Sequence, residues 1–522
     1  MSAIVTDQFR ILNAENFVNS VENSNNSYYI FLSLPQSSSP TVGFGRSSDW
    51  DTNSAGPPSP IDNQNYVNHV YDTMIFGKKV TANNVKRIVR RVDWAQGTTY
   101  EMYRHDYSAF YPSAITSSSR LYDANYYVMN SEFKVYICLD NGSSGLNPTG
   151  NASQDEPTFT DLEPSRAGES GDGYVWKYLY TIDPNDIIKF DSVEYIPVPS
   201  NWQSSVNPQI QSIRENGDSS VNENQIKIVY IDRQGFGYGI GLSQEVNILG
   251  DGSGGKVVLT TDNSGRITSA QVSSGGKDYS YGMVDLGAIN QSTISSFAKL
   301  IPIIPPSRGH GFDIYKELGS DRVLLYARFD DSTKDFPIDT KFAQIGIIKN
   351  PTSIGSTSLF TENQFSSVYS LKVKNVSGTI AIGDKIKQTV GLTTAFGYVA
   401  SYDDETNVLK YYRDRSLQFN QTVGDQTDYV GISSNGYVVN FTASNNSVTN
   451  ASGSFQASID TNFTGITTVI SGRSVNLGVQ FNSGLANPEI NKRSGEIIYL
   501  DNRPTVSRNS RQKEDIKVIL EF

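Results

Sequence analysis

The chain has 522 residues and a formal net charge of −11, from 43 basic and 54 acidic side chains. Hydrophobic residues make up 37% and charged residues 19%, low for a compact enzyme and too apolar for general disorder. The acidic balance argues against DNA or RNA as a partner, since phosphate binding needs a basic field. No apolar run approaches the ~20 residues that cross a bilayer as a helix, so no membrane insertion is expected.

At ~150 residues per domain, the length corresponds to roughly three or four domains. Tyr (30) and Phe (24) are plentiful while Met (5) is scarce. Ring and β-branched side chains suit a pleated surface, so the composition points to sheets. Cys138 stands alone, which leaves no internal disulfide and no Cys-based zinc site. With three histidines (His69, His105, His310), a His-rich metal site is not expected either. Residues 1–10 are mixed and polar, without a signal-peptide pattern. The expectation is a soluble protein made in a reducing compartment, with no cofactor.

Residues 4–22 form the clearest helix candidate. Ile11, Ala14, Val18 and Val21 share one face, with Thr6 and Asp7 as caps. Tyr28–Leu34 reads as a strand. Residues 35–65 are rich in Ser, Pro, Asn and Gly and read as a long surface loop of the kind partners order. Val128–Leu139 reads as strand, turn, strand, and a second Gly/Ser/Pro-rich loop covers 140–172. Tyr174–Ile182 is a strongly aromatic strand.

Residues 226–283 are Gly-rich, with turn signals every eight to twelve residues or so, the all-β pattern. Apolar strands return at Phe297–Ile304, Arg322–Phe329 and Phe342–Ile348. Short strands fill 366–480, with a compact barrel or sandwich near 366–412 and good alternation in Tyr369–Val376. Ile516–Phe522 closes on an alternating strand, which is usually tied into a sheet.

Several motifs suggest chemistry and are better read as structure. Gly250–Lys256 matches the first seven positions of a phosphate-binding loop, but Val257 stands where a hydroxyl must hold the metal, and a β-like run follows instead of a helix. Gly235, Gly237, Gly239 and Gly241 alternate along what reads as a packed or bulged strand. His310 lies between glycines and reads as a turn histidine bonding local backbone, since no GxSxG or HExxH accompanies it. The pairs Asp403/Asp404 and Asp49/Asp51 are expected by chance among 54 acids. Asp172, between Gly171 and Gly173, reads as a tight turn. The basic cluster Lys86-Arg87-Ile88-Val89-Arg90-Arg91 is expected to pair with a partner's acidic surface or with this chain's own carboxylates.

Taken as an ordered set, seven blocks carry a resemblance. They are Ala3–Arg10, Phe44–Trp50, Val89–Trp94, Gly171–Leu179, Tyr195–Pro199, Phe342–Pro351 and Ser494–Pro504, ahead of the terminal strand. The series resembles the gene-product-eight baseplate wedge proteins of T-even-like contractile-tailed bacteriophages. It covers about 1–215, 296–350 and 489–522, and leaves 220–295 and 352–488 as apparent insertions.

The resemblance implies a mainly β fold, with a three-layer β-sandwich core, helix-bearing loops and two inserted small β domains. The expected layout is core at 1–219, a Gly-rich β module at 220–295, core at 296–350, a β-barrel or sandwich at 351–488, and core strands at 489–522. It further implies a structural subunit of the virion, made in the host cytoplasm, that pairs with itself and with other wedge proteins and catalyses nothing. The structural or interface positions are Phe44, Gly45, Arg46, Trp50, Arg90, Arg91, Trp94, Gly171, Asp172, Gly173, Tyr174, Trp176, Arg503 and Pro504. Core anchoring is expected of Trp50, Trp94 and Trp176, each able to bury ~150–250 Å², with subunit contact as the alternative. Arg503-Pro504 is expected to end a strand at Glu496–Leu500, because proline cannot continue a ladder. Two other readings compete: a receptor or glycan-binding module built on the Asn/Ser/Gly-rich insertions, and a polysaccharide-degrading enzyme, for which the acid pairs are the only hint.

Overall fold

The structure, a computed structural model, describes residues 4–34, 59–60, 62, 64–218, 220–289, 293–330, 341–413, 438–444, 446–507 and 512–522. Phe44, Gly45, Arg46, Trp50, the Asp49/Asp51 pair and most of the loop at 35–65 lie outside the described residues. The chain divides into two compact units. The first takes Met1–Val18, Lys86–Leu324 and Ile519–Phe522, and the second takes Asn19–Val85 and Leu325–Val518. Strands dominate both, so the fold is mainly β as the composition implies.

The centre of the first unit is a three-stranded antiparallel sheet of Tyr127–Met129, Lys134–Asn141 and Tyr174–Thr181. Its strands carry Tyr, Trp, Ile and Val on both faces, and nearly all of these are buried. The short strand Tyr195–Pro197 pairs antiparallel with Ile88–Arg90 beside it. Two short helices, Pro184–Phe190 and Pro208–Gly217, start as their sequences dictate. Asp183 and Asn207 accept the first free amides through their side chains, and a proline fills the first helical position of each.

A second layer of this unit spans residues 226–304 and has its own apolar interior. Strands Ser243–Gly250, Ser253–Thr261, Ile267–Lys277 and Gly282–Val284 form a four-stranded sheet, while Val229–Arg233 pairs with Lys299–Pro302. Val246, Ile248, Val257, Leu259 and Ile267 fill the space between them. Gly250–Lys256 is a turn and the start of a strand, as its sequence suggests.

The glycine run at 235–241 departs from expectation. It is an irregular loop, not a strand. All four glycines take positive φ, at 67°, 92°, 98° and 61°, a region closed to most residues with a Cβ. Close backbone approach, the other half of the expectation, is present: a Cβ on Gly237 would lie 2.2 Å from the Thr293 carbonyl oxygen.

In the second unit, five antiparallel strands stand in the order Gln364–Ser366, Met74–Val80, Tyr28–Ser33, Lys341–Lys349, Glu496–Ser507. Tyr28–Ser33 is central and wholly buried. Gly346 lies opposite Phe31, and a Cβ there would sit 2.3 Å from the Phe31 ring, so the glycine makes room for it. Tyr369–Gly378, Val408–Tyr412, Thr393–Asp403, Lys385–Val390, Val448–Asn450 and Phe455–Ile459 pair in a closed ring, a small barrel filled by Leu371, Ile386, Val399, Leu409 and Phe455.

Proline does not end the last strand of the five-stranded sheet. Glu496–Ser507 runs through Arg503 and Pro504. Phe342 faces Val506 and Gln344 faces Asn502, so residues 503–505 bulge out opposite Ala343 alone. The strand is at the sheet edge, and a bulge on an edge asks for no amide from the proline.

Candidate interaction core

Three of the seven sequence blocks converge in the first unit around its aromatic sheet. Val89–Trp94 leaves the strand paired with Tyr195–Pro197 and passes alongside Met129. There Asp93 bridges Met129, and the Trp94 amide donates to the Met129 carbonyl at 2.9 Å. The half-buried Trp94 indole donates to Ser153 Oγ at 3.1 Å. Gly171–Leu179 enters the sheet through a turn in which Gly171 and Gly173 have φ of 69° and 91°. The Asp172 carboxylate accepts from the amides of Tyr174 (3.0 Å) and Gln154 (2.9 Å), so it organises that turn as its sequence suggests.

Beyond the turn, Tyr174 and Trp176 stack with ring centroids 5.2 Å apart, and Tyr100 meets Trp176 edge-on at 5.9 Å. Trp176 is wholly buried. The Tyr174 hydroxyl accepts from the Tyr100 amide at 2.8 Å and donates to the Asn151 carbonyl at 2.8 Å. Tyr180, the residue after the second block, donates through Oη to the Pro197 carbonyl of the third at 3.2 Å.

The basic cluster is spent on this chain's own groups. Lys86 meets Asp186 at 2.7 Å, Arg87 meets Glu15 at 3.4 Å, and Arg91 bridges Asp93 (2.9 Å) and Asp191 (3.0 Å). Arg90 donates to the Ala124 carbonyl at 2.9 Å. Of the two destinations expected for these cations, the structure shows the internal one. Arg503 belongs to the second unit, where it is exposed and paired with Asp501 at 2.6 Å.

Buried polar groups missed in the sequence hold this core. His310 is not a turn histidine bonding local backbone. Its Nδ1 lies 2.5 Å from Glu317 Oε1, both side chains are buried, and the other Glu317 oxygen accepts from the Gly311 amide at 2.7 Å. Glu101, also buried, accepts from Ser113 Oγ and the Asn125 amide. Trp202 is as buried as Trp176, and its indole points at the carbonyls of Gly311 and Phe312, both at 3.1 Å. A tryptophan three residues after Pro199 was the available signal.

Burial also shifts ionisation here. It pushes the Asp140 carboxyl up to about 6 and the Lys177 ammonium down to about 8. Lys177 donates to the Leu162 carbonyl at 2.6 Å and to Asn216 Oδ1 at 3.1 Å. The Cys138 thiol is buried in the same sheet and raised by the same cause. Asp403, the remaining acid-pair candidate, accepts from the Glu405 amide (3.1 Å) and Thr406 Oγ1 (2.8 Å) as a turn residue. Among the described residues no group of three or more His, Cys, Asp or Glu side chains is placed to hold a metal, and no helix is long and apolar enough to cross a membrane.

These features define a class: a β-rich protein whose most distinctive residues build a rigid aromatic core with its charges paired internally. Comparison with known proteins narrows it. Residues 138–233, from the middle strand of the aromatic sheet to the strand Val229–Arg233, match the Phage-Gp8 family model, described as Bacteriophage T4, Gp8. The chain is also 29% identical over 218 residues to the baseplate wedge protein gp8 of Enterobacteria phage T4. That match covers 38% of this chain and 60% of the relative's length. Over these stretches the chain is similar to the gp8 family of phage baseplate wedge proteins.

Proposed function

We propose that this protein is a structural subunit of a phage tail baseplate wedge, where it holds neighbouring wedge proteins in register. One observation carries the reading: the stretch matched to gp8 contributes Tyr174, Trp176, Tyr178, Tyr180 and Trp202 to the aromatic core. Such a core supplies rigidity, and rigidity suits a part whose work is to position its neighbours. The role is structural rather than catalytic, and its place is the virion tail.

The protein pairs with itself and contacts other wedge subunits through surfaces around this core. Phe110, Tyr111 and Phe297 are exposed there, with the Lys299 ammonium 5.5 Å from the Tyr111 ring centre. Aromatic side chains of this kind are enriched at interface hot spots. Interfaces that repack between discrete arrangements would let the wedge change shape when the tail contracts.

The deciding experiment is cryo-electron microscopy of intact particles beside particles lacking the gene. The expected result is density for this chain in the baseplate and no normal tail tip in the deletion. A normal tail tip without the gene overturns the reading. Sedimentation of the purified protein at micromolar concentration tests self-pairing separately, and a species that is monomeric throughout removes it.

A further inference from the structure

A groove of about 700 Å³ lies within the first unit, inside the ~300–1,000 Å³ range of ligand clefts. One wall is formed by the turn after Asn141 and by residues 163–166. The other is formed by residues 226–231 and 268–272. That second wall consists of two strands with open edges. Val229–Arg233 has Lys299–Pro302 as its only ladder partner among the described residues, and Ile267–Lys277 is the last strand of its sheet.

The two strands are bonded at both ends of the groove and not between them. At one end the Gln225 and Ile226 amides donate to the Gly276 and Gly275 carbonyls, at 2.9 and 3.1 Å. At the other, the Ile267 amide donates to the Gln234 carbonyl at 3.1 Å. Positions 226 to 234 and 267 to 275 are of equal length and run in opposite directions; the bridge beside the first end, Asn224 to Gly276, is parallel, and no ladder forms in the stretch between. Backbone donors and acceptors left out of a ladder are a template for another chain.

The molecule already uses this edge once. From the turn after Asn141, the Gly145 amide donates to the Ile231 carbonyl at 3.0 Å. The approach is close enough that a Cβ on Gly145 would meet the Asp232 carbonyl. The rest of the wall is polar, with Asp140, Arg166, Gln234, Ser269 and Gln271 lining it.

We propose that this groove grips an extended segment of another polypeptide, of about five or six residues, by backbone pairing with the open edges. Polar side chains of the segment meet the polar lining. Val229–Ile231 and Thr268–Val272 are the recognition elements. The proposal goes beyond the wedge role and does not rest on it.

The test uses the full-length protein on an array of end-capped random hexapeptides, with a glycan array in parallel. The expected result is peptide binding that slows amide exchange at 229–231 and 268–272. Gln271 is exposed in the groove, so Gln271→Trp, which fills the space, weakens binding about tenfold or more. Gln271→Ala, which leaves the space open, keeps it, and both variants melt with the parent protein. Peptide binding that ignores Gln271→Trp, protection elsewhere, glycan binding in place of peptide binding, or no peptide binding at all overturns the proposal.

Discussion

At the residue scale, the aromatic core is where single substitutions cost most. Trp176 is wholly buried, stacked on Tyr174 and touched edge-on by Tyr100. Trp176→Ala empties that site and is expected to cost about 3–5 kcal/mol. Trp176→Phe costs less, because a ring remains against Tyr174 and the buried indole N–H, which has no hydrogen-bond partner, goes with the substitution. Chemical denaturation of the two variants checks the order. Lys177 sets a pH dependence. Its folded ammonium is held at about 8 by burial, below its ordinary value of 10.5. The unfolded chain therefore binds the proton more tightly between those values, and this group's contribution to stability rises with pH from about 8 to about 10.5. Asp140 behaves oppositely in sign: burial raises it from 3.8 to about 6, so its contribution falls as pH rises through that window. Asp140→Asn retains an oxygen for the Gly142 amide and cannot ionise. Melting temperatures of Asp140→Asn and parent, compared from pH 4 to pH 6, should diverge in favour of the variant as pH rises. Parallel curves would show that desolvation does not raise the Asp140 carboxyl.

At the element scale, most strands were legible because burial demands local patterns. The continuous run Tyr28–Leu34 reads as a strand, and Tyr28–Ser33 is the wholly buried centre of a sheet. Alternation in Tyr369–Val376 reads as a strand, and Tyr369–Gly378 is one, with Ser370–Val373 buried on both faces. The N-terminal stripe of Ile11, Ala14, Val18 and Val21 reads as a helix, and Asp7–Glu22 is helical. Illegible features depended on distant partners. The glycines at 235–241 carry no local sign separating a strand thinned for close packing from a loop that needs positive φ. The difference lies in the backbone at Thr293 and Ala298, far along the chain. Pro504 reads as a stop, and whether an edge bulge absorbs it depends on Ala343 across the sheet. His310 is tied to Glu317 seven residues on, through the helix Ile314–Glu317, a link that glycine neighbours do not reveal. Helix starts are the converse case, written entirely in local sequence. Asn207 accepts the Gln209 amide at 2.9 Å ahead of Pro208. Asn207→Ala is expected to lower stability by about 1 kcal/mol, and Asn207→Ser to restore most of it. Equal losses in both variants on thermal melting would assign the effect to something other than the cap.

At the scale of the whole molecule, the chain is threaded through two units, each built from discontinuous pieces and each with its own apolar clusters. The first owns the clusters around Trp176 and Val257, the second those around Phe31, Leu371 and Phe481. Single-transition unfolding is the habit of small single domains, and separate cores in one chain are the usual reason for departing from it. Calorimetry of the intact protein is therefore expected to show two transitions. Trp176→Ala should lower one and leave the other in place. Leu371→Ala empties the interior of the barrel in the second unit, and it should do the reverse at a cost of about 2–5 kcal/mol to that transition. Intrinsic fluorescence supplies an independent reading in a Trp50→Phe background, because the other tryptophans, Trp94, Trp176 and Trp202, all belong to the first unit. The Trp176→Ala transition should move in calorimetry and fluorescence together, whereas the Leu371→Ala transition should move chiefly in calorimetry. A single transition that both substitutions shift alike would mean the two units fold as one, and the division into separately stable cores would fall.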